Sequence, residues 1–304
     1  MNILITGACG HIGSYLIANI HKIKKIKKII LIDNFYSNRY SSIFNIKNKN
    51  KFLFYKIDLD KKKSLDKFKN IDLIIHCASY TNAEGSFSIK KKMFNNNINC
   101  MQNVLKFCIK KKTKLIHLSS TSVYGKQTKI VHEDNKKFLN PQSPYASIKL
   151  IEEKMLEQNT KKFSYISFRL GTIAGVSKGM RFHTAINKFC LNAALNQKIE
   201  IYKTAYNQYR PYLSLKDLFK TFKFCIEKNI FTNQTYNVLS GNFTVKEILK
   251  KIQKYKKNIR LKFVKTKIMN QLSYLVDNTK IKKIGIKFTA NIDKDIKETL
   301  NLFN

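Results

Sequence analysis

Six short apolar runs, NILITG, IILID, FLFYKID, DLIIHCAS, KLIHLSS and FSYISFRL, succeed one another along the first half of the chain. They are rich in Ile, Leu, Val and Phe, the composition of strands buried on both faces of a sheet. Segments 89–112 and 144–160, which lie between such runs, are long enough to be crossover helices. Parallel neighbours require such crossovers, so the alternation predicts an α/β fold with a doubly wound parallel sheet. Beyond about residue 170 the rhythm loosens into a helical stretch near 180–197, IEIY, QYRPYLSL, a helix near 215–228, TYNVL and another helix from about 244. This part reads as a smaller lobe. No internal repeat or Gly/Ser linker separates it, so the two parts are expected to be interwoven.

Composition narrows the function classes. The 304 residues are 43% hydrophobic and 25% charged, a globular balance. No apolar run approaches membrane-spanning length and the chain opens on MNILITG, so a cytoplasmic, membrane-free protein is expected. The formal charge of +39 invites a nucleic-acid reading, but only five of the 58 basic residues are arginine. Lys, Asn and Ile are inflated together throughout, in runs such as KIKKIKK and NNNIN, as codon bias would produce on solvated faces. A nucleic-acid surface concentrates its charge, uses arginine and interleaves aromatics, so no specific nucleic-acid partner is expected. The six cysteines show neither a C-x-x-C pair nor metal-ligand spacing, and read as reduced thiols with no metal.

The first run leads directly into TGACGHIGSYL, with Gly7, Gly10 and Gly13 opening a helix. Such a turn lets a pyrophosphate approach the amides of a helix N-terminus. Glycine is otherwise sparse, at 10 in the chain. The second run ends on Asp33, whose carboxylate can accept both hydroxyls of an adenosine ribose and would repel a 2′-phosphate. That choice points to NAD over NADP.

A second motif, SPYASIK, places Tyr145 four residues before Lys149, with Ser143 suited to cap a helix and Pro144 to start it. The two side chains then share one helix face. Together with LIDNFYSNR, KIDLDK, HCAS, NNINCMQNVL, LSSTSVYG, RPYLSLKDL and the closing DNTKIKKIGIKFTANIDKDIKETL, these motifs span nearly the whole chain. The chain resembles the extended short-chain dehydrogenase/reductases, the NAD-dependent epimerase/dehydratase family that includes UDP-glucose 4-epimerase. The resemblance implies a Rossmann-type sheet binding NAD over residues 1–169 and a substrate-binding region over 170–304. By position it makes Ser120, Tyr145 and Lys149 catalytic. Gly7, Gly10, His11, Ile12, Gly13, Asp33, Asn34, Asp58, Leu59 and Ala78 fall at cofactor-binding positions, with Tyr145 and Lys149. It also puts Asn97 at the end of a helical stretch, where a helix distortion supports the site. A phenol ordinarily titrates near 10, and an adjacent ammonium together with the positive nicotinamide favours its anion, which suits Tyr145 to proton exchange during hydride transfer.

Dehydratases of this family carry an Asp-Glu pair immediately after the catalytic Ser/Thr, where this chain has Thr121 and Ser122. Epimerisation, or simple alcohol/ketone redox by a dehydrogenase or reductase, is therefore the expected chemistry, on a nucleotide sugar. Thr172, Arg181, Arg210 and Ser120 are the expected substrate contacts, the two arginines as a bidentate clamp on the diphosphate. A catalytically idle NAD-binding regulator stays open as a different class, opposed by the intact Ser120, Tyr145 and Lys149. Relatives commonly dimerise through two helices, here 89–112 and 144–160, which implies a homodimer.

Overall fold

The computed structural model describes residues 1–81, 87–265 and 274–303. Its centre is a seven-stranded, wholly parallel sheet of β1 (Asn2–Thr6), β2 (Lys28–Asp33), β3 (Phe52–Lys56), β4 (Leu73–His76), β5 (Lys114–Ser120), β6 (Tyr165–Leu170) and a strand from the later half, Thr235–Val238. Between β6 and that strand come β7 (Thr172–Ala174), β8 (Lys198–Tyr202) and β9 (Tyr209–Ser214), which makes it β10; β11 (Gly241–Thr244) and β12 (Arg260–Val264) follow. The helices are α1 (His11–Asn19), α2 (Lys90–Lys111), α3 (Pro144–Glu157), α4 (Ala185–Ala194), α5 (Leu215–Lys228), α6 (Val245–Gln253), α7 (Thr279–Lys283) and α8 (Ile292–Leu300).

The spatial order is β10-β6-β5-β4-β1-β2-β3. Winding reverses between β1 and β4, and the crevice beyond the carboxyl ends of these two strands is where such sheets bind ligands. Residue alternation sorts the core. Ile3, Ile5, Ile29, Leu31, Leu73 and Ile75 face α1 and α5 through Leu16, Ile17, Leu218 and Phe222. Leu4, Ile30, Ile74 and Leu115 face α2 and α3 through Met101, Val104, Leu105 and Leu156. A third cluster packs α4, α6 and α8 against β7, β8 and β9. Each large aliphatic side chain so buried contributes about 1.5–3 kcal/mol.

The structure corrects several expectations. FLFYK is an edge strand with Leu53 39% exposed, and among the described residues no strand pairs with its outer side. The helix expected over 144–160 ends at Glu157, and the one expected near 180–197 spans Ala185–Ala194 with Thr184 at its N-cap position. Short β7, β11 and β12 were not anticipated: they pair in small sheets of two or three strands that lack long apolar runs.

Candidate functional site

The glycine turn follows β1 directly. Gly7 has φ +61°, a left-handed conformation, and a Cβ there would lie 2.6 Å from the Ala78 nitrogen. A Cβ on Gly13 would lie 2.4 Å from the Gly7 carbonyl oxygen, so helix and turn close together only as glycines. Gly10 occupies the N-cap of α1 with no side-chain cap, leaving the first-turn amides of His11, Ile12 and Gly13 without a capping side chain. A Cβ on Gly10 would meet nothing nearer than the Gly7 carbonyl oxygen at 3.3 Å, so its bare Cα leaves the cleft floor open.

Two adjoining cavities meet over this turn. The larger, about 450 Å³, carries Ser120, Tyr145, Lys149, Thr172, Arg181 and Arg210 on its walls together with Gly7, Gly10, His11, Ile12 and Gly13. The smaller, about 240 Å³, is lined by Asp33, Asn34, Asp58, Leu59 and Ala78 and shares Gly7, Gly10, Cys77, Ser79 and Arg39 with the first. Every expected site residue thus lines one continuous cleft. Asp33 is oriented by the backbone N–H groups of Cys9, at 2.9 Å, and Phe35, at 2.8 Å. Asn34 donates to Asp58 at 3.1 Å. A carboxylate at the far end, helix amides at the middle and a Tyr-Lys pair at the near end suit an extended dinucleotide.

At the near end, Ser143 caps α3 by accepting from the Ala146 amide at 3.2 Å, with Pro144 in the first turn. The helix then carries Lys149 inward, its Nζ 5.9 Å from the Tyr145 ring centre. Ser120 ends β5, and its Oγ accepts from the Ser122 amide at 3.2 Å and the Ser122 hydroxyl at 2.9 Å. Arg181 donates to Thr81, and its Nε is buried without a hydrogen-bond partner among the described residues. It stands in the loop ahead of α4. Arg210 approaches Tyr274, whose hydroxyl lies 3.4 Å from Thr121 Oγ1.

The family model for the NAD dependent epimerase/dehydratase family matches residues 3–238. The chain belongs to this family. Its cofactor is NAD. Among curated relatives of this family member, dTDP-D-glucose 4,6-dehydratase of Dictyostelium discoideum is 30% identical over 78% of this chain and 57% of that protein. A trifunctional UDP-glucose 4,6-dehydratase/3,5-epimerase/reductase of Arabidopsis thaliana is 26% identical over 99% of this chain and 47% of its own length. The chain therefore spans about half the length of these two relatives. UDP-glucuronic acid 4-epimerase from Bacillus cereus, solved with UDP-glucuronic acid and NAD, superposes with a TM-score of 0.90 at 23% identity, covering 100% of this chain and 99% of that one. dTDP-glucose 4,6-dehydratase from Streptomyces venezuelae superposes at 0.89 with 18% identity, covering 100% and 97%. These likenesses establish the fold.

Several residues of this epimerase/dehydratase family member escaped the sequence reading. Gly179 presses on the glycine turn: a Cβ there would lie 2.2 Å from the Cys9 carbonyl oxygen. Ser14 and Ser177 tie the same contact, with Gly179 N–H to Ser14 Oγ at 2.8 Å and Ser14 Oγ to Ser177 Oγ at 3.0 Å. His11, already expected at a cofactor-binding position, has its Nε2 2.8 Å from the Gly175 carbonyl oxygen, and burial lowers this imidazole to about 3, so it is neutral. Asn97 corrects an expectation: it sits inside unbroken α2, not at a helix end, and clasps the Tyr80 backbone with bonds of 2.8 and 3.1 Å. Glu152 and Glu153, seven and eight residues past Tyr145, lie buried on the Lys149 face of α3. Charged helix residues ordinarily face solvent, and the three- and four-residue spacing from Lys149 is the signal that could have found these two. No described helix is long and apolar enough to cross a membrane.

Proposed function

We propose that this chain is an NAD-dependent nucleotide-sugar epimerase, with residues 1–169 holding the cofactor and residues after 169 supplying much of the sugar-nucleotide wall. The observation that carries this reading is the chemistry beside Ser120. Thr121 and Ser122 fill the positions where elimination would need an acid and a base, and Thr121 Oγ1 is turned to the Leu170 carbonyl at 3.2 Å. Among the described residues lining the larger cavity, the carboxylate is Glu200, 3.0 Å from Lys262 with both side chains 53% exposed. A cleft whose described lining carries no buried carboxylate at the sugar favours oxidation and return over loss of water.

The chemistry that bound NAD would supply in this cleft is reversible hydride acceptance from a carbinol carbon. Ser120 Oγ holds the sugar oxygen, and Tyr145 removes its proton and later restores it. The Lys149 ammonium stabilises negative charge at the phenolic oxygen and would hold the nicotinamide ribose of a bound cofactor. Arg181 and Arg210, with Thr172, hold the diphosphate side. Epimerisation then requires that the keto sugar present its other face before the proton and hydride return.

Dehydration is the second reading, favoured by the Dictyostelium relative at 30% identity. Incubating the purified protein and NAD with UDP-, GDP- and dTDP-sugars separates the two. An inverted carbinol with no accumulated NADH supports epimerisation, whereas a 4-keto-6-deoxy product or stoichiometric NADH would replace it with dehydration or dehydrogenation. We also propose a homodimer through α2 and α3, because α2 leaves Phe94 43% exposed. A monomeric mass at micromolar concentration in sedimentation would remove that contact.

A further inference from the structure

We propose that Glu152 is a positioning residue for the catalytic lysine: anchored by His117, its carboxylate holds the Lys149 side chain charged and in place inside the cleft wall. The inference rests on the reading of Lys149 as catalytic given above.

Lys149 is 3% exposed, and its Nζ donates to Glu152 Oε2 at 2.7 Å. Glu152 is 1% exposed, and the same oxygen lies 2.9 Å from His117 Nε2. A carboxylate acceptor requires the proton on that nitrogen, and His117 Nδ1 meets Ser167 Oγ at 2.8 Å. The chain of contacts therefore runs from β6 through β5 to α3, and fixes the carboxylate before it fixes the lysine. One of the three ammonium donors is committed to Glu152. Two remain for the cofactor ribose and the tyrosine.

An ammonium taken out of water is costly unless paired, and a lone buried lysine releases its proton near neutrality. The titratable groups around Lys149 are Tyr145 on α3, His76 and Cys77 at the end of β4, His117 on β5 and Cys100 on α2. Burial lowers the His76 imidazole to about 3 and raises the Cys77 thiol to about 12, so neither supplies a countercharge at neutral pH. Glu152 does. Burial works to raise its carboxyl, but Lys149 and His117 outweigh that and bring it to about 2. Burial likewise works to lower Lys149, and Glu152 foremost holds it above its usual value.

Lysine side-chain NMR of the NAD-bound protein between pH 6 and 9 tests this without any sugar. In the wild type no lysine should titrate in that window. In Glu152→Gln one lysine should titrate there, and its signal should vanish when Lys149→Met is added. Turnover of Glu152→Gln should gain a falling alkaline limb at the same pH, at least ten-fold below wild type at pH 9. A lysine that keeps its proton to pH 9 in Glu152→Gln would overturn the proposal. If that variant fails to fold, recovery of folding in the double variant with Lys149→Met supports it, because the lone ammonium was the fault; continued failure overturns it. A titrating lysine without turnover on any sugar would strike the epimerase reading and leave the role of Glu152 standing.

Discussion

Glu153 grips Arg169 with two parallel hydrogen bonds, Nε to Oε1 at 2.9 Å and Nη2 to Oε2 at 2.6 Å, in a pair whose side chains are 1% and 5% exposed. Arg169 reaches on to the Tyr124 hydroxyl at 2.9 Å, and Ser119, the neighbour of Ser120, donates to Glu153. The pair thus bolts α3 to β5 and β6 beneath the candidate catalytic residues. Glu153→Ala strands a buried guanidinium and should cost about 3–5 kcal/mol. Denaturant unfolding measures this; a loss below about 1 kcal/mol would contradict the buried geometry.

Replacing Tyr145 by Phe removes the proton-exchanging oxygen while keeping the ring. Turnover should fall by about 10²–10⁴-fold, with NAD affinity changed less than about three-fold. Initial rates and equilibrium NAD binding on one preparation test both halves. Retained turnover would assign the proton step elsewhere.

Gly179 lies far in sequence from the glycine turn yet packs on it. In Gly179→Ala the new methyl would press on the Cys9 and Gly10 carbonyl oxygens, since an ideal Cβ would lie 2.2 and 2.6 Å from them. The turn must shift, and we expect NAD binding to weaken by roughly ten-fold or more, the effect of losing about 1.4 kcal/mol. Calorimetric titration with NAD gives the answer, and unchanged affinity would show that the turn tolerates the displacement.

Asp295 on α8 is 1% exposed, and burial raises its carboxyl to about 6 against the pull of Ser214 and Lys216. A carboxyl raised on folding favours the protonated native state, so its contribution is present at about pH 4 and is lost as pH rises towards and past 6. Asp295→Asn should therefore raise stability by about 1–3 kcal/mol at pH 7.5 and change it little at pH 4. Thermal melts at the two pH values check the sign; equal shifts at both would refute the titration account.

Arg210 lines the larger cavity together with the catalytic residues. Its replacement by Ala should weaken nucleotide-sugar binding at least ten-fold while NAD binding holds, since a charge-assisted contact is worth about 1.5–3 kcal/mol. Untouched nucleotide-sugar affinity would remove the arginine clamp.

Local information carried much of this protein. The period of the apolar runs, the three glycines after β1, Asp33 closing β2 and the Ser143-Pro144 start of α3 are each set by short-range backbone sterics or by the two-faced burial of a parallel strand. Those rules act within a few residues, so they can be read from the chain alone. Tertiary structure decided what depends on partners distant in sequence. Glu152 and Glu153 look like solvated helix residues until His117, Lys149 and Arg169 meet them in the core. Gly179 looks like an ordinary loop glycine until the later half of the chain folds its backbone onto Cys9 and Gly10. Burial of a charge is favourable only where an opposite charge has already been brought, and that meeting is a property of the assembled sheet and its helices.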